Sequence, residues 1–369
     1  MFEFDKSFLK RFDWILFTTV IILVAIGIHL VYIATFKDYD TSFLKSQLAA
    51  GFIGGIAAII FMFFDYDYLE KFYKPLYFIM IGSLFAVLLF GDVHNNAKSW
   101  ISIGKIISFQ PSEVCKLIYI ITMSKIMSDN KENISKPLVF GKILIWGLIP
   151  ILLILAEPDF GTSLVYIIIF AIMIFAAGLD IKYFFTGICA AIITLPLFWH
   201  FLKPYQRNRL LDFFDPSRDP SGSGYQANQS KIAIGSGKMF GRGLDNAKLI
   251  QYGYLPYKHN DFIFSVVGEV YGFIGTLVIL LLFLILLFRL LRLAQTAIST
   301  FHQLILVGIM AMFLYHIIQN VGMTVGLMPV TGIPLPFISQ GGTSLMNNLI
   351  SIGLAIGLGM RRKKYMFET

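Results

Sequence analysis

The chain has 369 residues, of which 57% are hydrophobic and 14% charged, with a formal net charge of +8. A mean hydropathy of +0.73 excludes an ordinary water-soluble domain, which would expose large apolar patches and aggregate. The positive balance argues for Lys- and Arg-rich loops on the cytoplasmic side of a membrane and against nucleic acid as a partner, since no basic stripe or nucleic-acid motif accompanies it.

The fold class expected is an all-α polytopic membrane protein, because backbone polar groups inside a bilayer must be satisfied within the span. In chain order the apolar runs are 14–35, 45–64, 74–91, 112–128, 142–156, 163–179, 183–201, 262–288, 302–326 and 342–360, about ten spans. The fifth is short. The first follows Lys10 and Arg11, spans fully and lacks a small-residue cleavage site, so no signal peptide is expected. One set of short loops and ends holds Lys6, Lys10, Arg11, Lys71, Lys74, Lys125, Lys131, Lys136, Lys142, Lys182, Arg289, Arg292 and Arg361 to Lys364. The other holds only Lys37, Lys45, Lys98 and Lys105. That bias places both termini in the cytoplasm. The whole chain, 1–369, reads as one integral membrane domain with a large extracytoplasmic loop, 202–261, between helices 7 and 8. The loop is dense in Gly, Ser, Pro and Asn yet aromatic, and Tyr225 to Gly235 has the pattern of a short amphipathic helix. Cys115 and Cys189 lie in apolar runs without metal or disulfide spacing.

Ionisable residues in or beside a span are functional candidates because their burial is costly. Gln110-Pro111-Ser112-Glu113 opens the fourth span with Pro111 suited to N1, and Glu113 and Lys116 share a helical face. They form either a structural ion pair or the wall of a polar cavity. Glu157-Pro158-Asp159 separates spans five and six, with Asp159 either capping the next helix or facing the same cavity. Arg207 and Arg209 either fork onto phosphate or snorkel to headgroups. Lys258-His259-Asn260-Asp261 precedes the longest apolar run, with Asp261 either a cap or a general base. The stretch from Pro334 through Ser339 to Ser344 either breaks helix geometry where it lines a cavity, starts the last helix with an anion site at its N-terminus, or is an ordinary re-entrant or outer loop. No Walker loop, HExxH, GxSxG or paired Cys/His spacing is present, which argues against an ATPase, a zinc protease and an α/β-hydrolase.

Together FQPSE with Lys116, AEPDFGTSL, PYQRNR, SGSGYQANQSKIAIGSGKMFGRGL, LPYKHNDFIFSVVGEVYGFIG and MPVTGIPLPFISQGGTSL resemble the SEDS family of bacterial shape, elongation, division and sporulation proteins (RodA, FtsW, SpoVE). They run in family order from about 108 to 360. The short N-terminal segment resembles RodA more than FtsW, and Gln340 stands where the family often has Tyr. The resemblance implies a peptidoglycan glycosyltransferase of the bacterial cell membrane that polymerises lipid II. It maps the family's essential aspartate onto Asp261. It also implies a class B penicillin-binding protein and other elongation-complex membrane proteins as partners. The expected substrate-binding set is Gln110, Ser112, Glu113, Lys116, Asp159, Arg207, Arg209, Lys258, His259 and Ser339. Developing diphosphate charge leaves room for a divalent cation, Mg or Mn. A lipid II flippase and a non-catalytic scaffold are the competing readings.

Overall fold

A computed structural model describes residues 11–36, 41–94, 97–103, 107–201, 203–219 and 222–361. Lys6, Lys10, Lys37, Lys105, Arg362, Lys363 and Lys364, used above for orientation, lie outside the described residues.

The chain opens with α1 (Trp14–Thr35), capped by Asp13, whose Oδ1 accepts from the Leu16 amide at 2.9 Å. Helices α2 (Ser42–Met62), α3 (Tyr66–Lys71) and α4 (Tyr73–Phe90) follow. Three antiparallel strands, β1 (Asp92–His94), β2 (Ala97–Ile103) and β3 (Ile107–Phe109), lead into α5 (Pro111–Asp129). Next come α6 (Pro137–Ala156), α7 (Phe160–Ala176) and α8 (Ile181–Phe201). The long connection holds α9 (Pro204–Phe214), α10 (Ser223–Ser236), α11 (Gly243–Asn246) and α12 (Lys248–Gln251). Three long helices finish the fold: α13 (Ile263–Gln295), α14 (Thr300–Val325) and α15 (Gly342–Met360).

Among the described residues, seven helices (α1, α2, α4, α6, α13, α14 and α15) are long and apolar enough to cross a membrane. The other three expected spans coincide with α5, α7 and α8. Of these, α7 has 17 residues, and α5 carries Glu113, Lys116 and Lys125 along its length. The short fifth span is a 20-residue helix, because Pro137 at its start extends it ahead of the apolar run. The span at 262–288 continues to Gln295, since Arg289 and Arg292 end the apolar run without ending the helix. The small sheet corrects a purely helical expectation. The pairings Ile101↔Phe109 and Ile103↔Ile107 use β-favouring residues in a stretch too short to span.

The centre is built from α14 and α15, most of whose residues are buried. Helix α15 lies close along α2. A side chain at Gly353 would collide with the Ala58 main chain, and one at Gly357 with that of Met62, so small residues permit backbone contact as in other membrane bundles. Phe52, Phe78 and Phe90 point outward from α2 and α4, as lipid-facing side chains do. Helix α13 kinks at Gly272, where φ is +67°, a conformation open chiefly to glycine. Ahead of the kink, α10 packs along α13. Ser230 Oγ lies 2.6 Å from Ser265 Oγ and donates to the Thr324 carbonyl at 2.6 Å. At the far end, Arg289 of α13 grips the buried Asp13 carboxylate with Nε and Nη2, at 3.0 and 2.7 Å from Oδ2.

Candidate active site

A cavity of about 500 Å³ opens where α5, α7 and α9 meet the loops before α13 and α15. Gln110, Glu113, Asp159, Arg209 and Asp261 all line it. Five residues expected from four separate segments therefore share one space.

Pro111 at N1 starts α5 and sets Gln110 at the cavity edge, where its Nε2 donates to Asp159 Oδ2 at 2.7 Å. One turn on, Lys116 Nζ donates to Glu113 Oε1 at 2.8 Å. Glu113 faces the cavity while Lys116 is 1% exposed, directly behind the wall. Asp159 caps α7, with Oδ1 accepting from the Thr162 amide at 3.0 Å and Oδ2 from Thr162 Oγ1 at 2.8 Å. Both sequence readings of Asp159 hold at once, since the cap also lines the cavity. Burial pushes its carboxyl up, and the Thr162 hydrogen bonds pull the other way.

Asp261 sits in the turn just before α13, half-buried in the cavity wall. Desolvation pushes its carboxyl from 3.8 up to about 6, against the nearby positive charge of Arg209. Its backbone is pinned by Asn320 of α14, whose Nδ2 donates to the Asp261 carbonyl at 3.0 Å and to the Ile333 carbonyl at 2.8 Å. The same two loops are tied by Ser339 Oγ, which donates to the Asn260 carbonyl at 2.7 Å, and by the Gln340 amide, which donates to the His259 carbonyl at 2.9 Å. Gln47 of α2 holds the second loop from behind, donating to the Ser339 carbonyl at 3.2 Å and accepting from the Gly341 amide at 3.3 Å. Gly332, at φ +74°, turns the chain so closely past Asp261 that a β-carbon there would lie 3.5 Å from Oδ2.

Five expected contacts do other work. Arg207 turns from the cavity, donating to the His200 carbonyl at 2.8 Å and lying 5.9 Å from the Trp199 ring. Residues two apart on a helix point to nearly opposite sides, so α9 can aim Arg209 or Arg207 at one space but not both. Lys258 is buried and donates to the Ile250 carbonyl at 3.0 Å. The His259 ring packs, tilted, with its centroid 4.3 Å from that of Phe43. Ser112 is buried and offers its carbonyl to the Tyr166 hydroxyl at 2.8 Å, and Ser339 is the loop tie above. Sequence reasoning missed Gln47, His316 and Asn320. All three interrupt apolar runs, and a polar side chain in a span is itself the signal. Among the described residues no three His, Cys, Asp or Glu side chains converge as metal ligands. Asp159 spends both oxygens on Thr162 and Gln110, and Glu113 gives Oε1 to Lys116 and keeps Oε2 without a partner among the described residues. One unpartnered carboxylate oxygen beside a lysine ammonium is not a ligand set for a resident metal.

A charged, half-enclosed cavity with one poised carboxylate and one facing arginine suits transfer onto a hydroxyl from a donor bearing an anionic leaving group. The family model for FtsW, RodA and SpoVE, described as "Cell cycle protein", matches residues 10–364. Stage V sporulation protein E of Bacillus subtilis is 37% identical over 359 residues, 94% of this chain and 96% of that one. Peptidoglycan glycosyltransferase RodA of Treponema pallidum is 30% identical over 429 residues, 95% of this chain and 98% of that one. A chain from a solved peptidoglycan synthase complex, whose report concerns coordinated polymerization and crosslinking, superposes with a TM-score of 0.82 at 30% identity. That match covers 94% of this chain and 97% of the other.

Proposed function

Because the chain belongs to the FtsW/RodA/SpoVE family of cell cycle proteins, we propose that it is a peptidoglycan glycosyltransferase of the bacterial cell membrane that polymerises lipid II for wall elongation and rod shape. The observation that carries the reading is Asp261, a desolvated carboxylate in a polar cavity with Arg209 beside it. The cavity faces outward on a plan of ten spans with cytoplasmic termini, and the 202–261 connection roofs it.

Asp261 takes the proton from the 4-hydroxyl of the acceptor's N-acetylglucosamine. The freed oxygen attacks the anomeric carbon of the donor, and the bond to undecaprenyl diphosphate breaks. One displacement inverts an α-linked diphosphate to a β-1,4 bond. A good leaving group removes the need for the second carboxylate of a glycosidase. Arg209 meets the departing diphosphate inside the cavity, and Lys116 adds positive potential from behind the wall. Glu113 orients Lys116, and Gln110 and Asp159 shape the wall between them and the cavity mouth.

A class B penicillin-binding protein would crosslink the product, in line with the superposed synthase complex. Other elongation-complex membrane proteins complete the assembly. The test is the purified chain with that partner, a β-lactam to block crosslinking, and lipid II. Wild type should form glycan polymer, and folded Asp261→Ala protein should not. Equal polymer from both would remove Asp261 as the base. No polymer from either, with lipid II crossing proteoliposome membranes, would give the site to a flippase. The elongation role has its own check, because the sporulation relative is also similar: expression should restore rods in a rod-shaped host lacking its elongation polymerase.

A further inference from the structure

Lys116 brings an ammonium to a place that is 1% exposed, where a lone charge is expensive. One N–H is spent on Glu113 Oε1 at 2.8 Å. A second lies 3.1 Å from His316 Nε2 of α14. The other ring nitrogen fixes what that contact is. His316 Nδ1 lies 2.7 Å from the Met312 carbonyl, which can only accept, so Nδ1 carries the proton. The neutral ring then turns a lone pair on Nε2 toward the ammonium. A doubly protonated ring would set N–H against N–H at that distance. Lys116 is therefore bracketed by two cavity-lining side chains from different helices, and among the described residues its third N–H is uncommitted.

We propose that His316 is a positioning residue for glycosyl transfer, holding the Lys116 ammonium against the cavity wall so that its charge meets the diphosphate as it departs. This rests on the transferase reading above. Glu113 alone fixes one direction of a flexible four-carbon stem, and a second acceptor from α14 fixes the other. Preorganised charge of this kind acts on the transition state more than on the bound substrate, so its loss falls on kcat.

The experiment compares wild type, Asp261→Asn, Lys116→Met, His316→Leu and His316→Gln with the penicillin-binding partner. Rates are measured over a range of lipid II concentrations, and each protein is first checked by thermal melting. Glutamine keeps an acceptor oxygen for Lys116 and leucine does not. The expected result is a kcat loss of about tenfold or more for His316→Leu, with KM changed by less than about threefold. His316→Gln should stay within about threefold of wild type in both. Should the leucine protein fail to fold, His316→Met carries the same expectation. The proposal is overturned if His316→Leu keeps wild-type kcat, if its loss lies in KM, or if glutamine is as poor as leucine. It is also overturned if Lys116→Met is fully active. Wild type inactive on lipid II would instead sink the transferase reading, and this proposal with it.

Discussion

Asp261→Asn should make the protein more stable at neutral pH while abolishing transfer. The folded carboxyl titrates near 6 against an ordinary 3.8, so between those values the folded chain holds more proton than the unfolded one. Stability linked to this group is therefore complete below pH 3.8 and is lost as pH rises through about 6. That difference corresponds to about 3 kcal/mol, and solvent at the cavity mouth screens it toward about 1–2 kcal/mol. Asparagine cannot ionise, and among the described residues what acts on the Asp261 carboxyl is desolvation and the Arg209 charge rather than a hydrogen bond. The pinning by Asn320 goes through the backbone carbonyl and survives. Melting of the detergent-solubilised protein from pH 4.5 to 8 should show wild type weakening across that window and the variant lacking that component. The rate of wild-type transfer should rise across the same window, because the base must be ionised. Parallel melting curves for the two proteins would refute the argument, since the desolvation of Asp261 would then cost the fold nothing.

Three further outcomes follow from the geometry. Arg209→Gln should cut kcat/KM by about 100-fold in the lipid II polymer assay, because it removes the cation within the cavity. Asn320→Leu should lower stability by about 2–4 kcal/mol in a melting or denaturant series, since two carbonyls lose one shared donor, and transfer should fall with the displaced Asp261 loop. Asp13→Ala should cost about 3 kcal/mol by the same measurement, stranding Arg289 and uncapping α1, with kcat unchanged in the protein that remains folded.

Spans were legible because apolar runs of the right length have few alternatives in water. Gln110, Glu113, Asp159 and Arg209 stand out one by one from their cost beside a membrane, each with a structural alternative, whereas Asp261 stands out through the family resemblance and reads as a cap from its spacing alone. What failed to show was direction. Arg207 and Arg209 are equal as residues, and only the helical phase of α9 separates them. Lys258 and Ser339 share motifs with the site, yet each donates to a main-chain carbonyl, of Ile250 and Asn260 respectively. Helix α9 was hidden because Arg and Asn break up its pattern and Pro204 reads as a turn, although proline at N1 begins it. His316 and Asn320 are masked by the average apolarity of 302–326, and their partners Lys116, Asp261 and Ile333 lie outside that run.

The Asn320 bridge has a consequence for how the reactive group relates to its scaffold. It grips Asp261 by main chain and leaves the carboxyl untouched, so the loop's shape does not depend on which side chain the position carries. Reagent and holder are separable. In an Asp261→Ala protein the vacated space keeps its walls, and a small carboxylate such as formate can occupy it from solution. Partial return of transfer with rising formate, absent with chloride at equal ionic strength, would separate loss of a proton acceptor from loss of architecture.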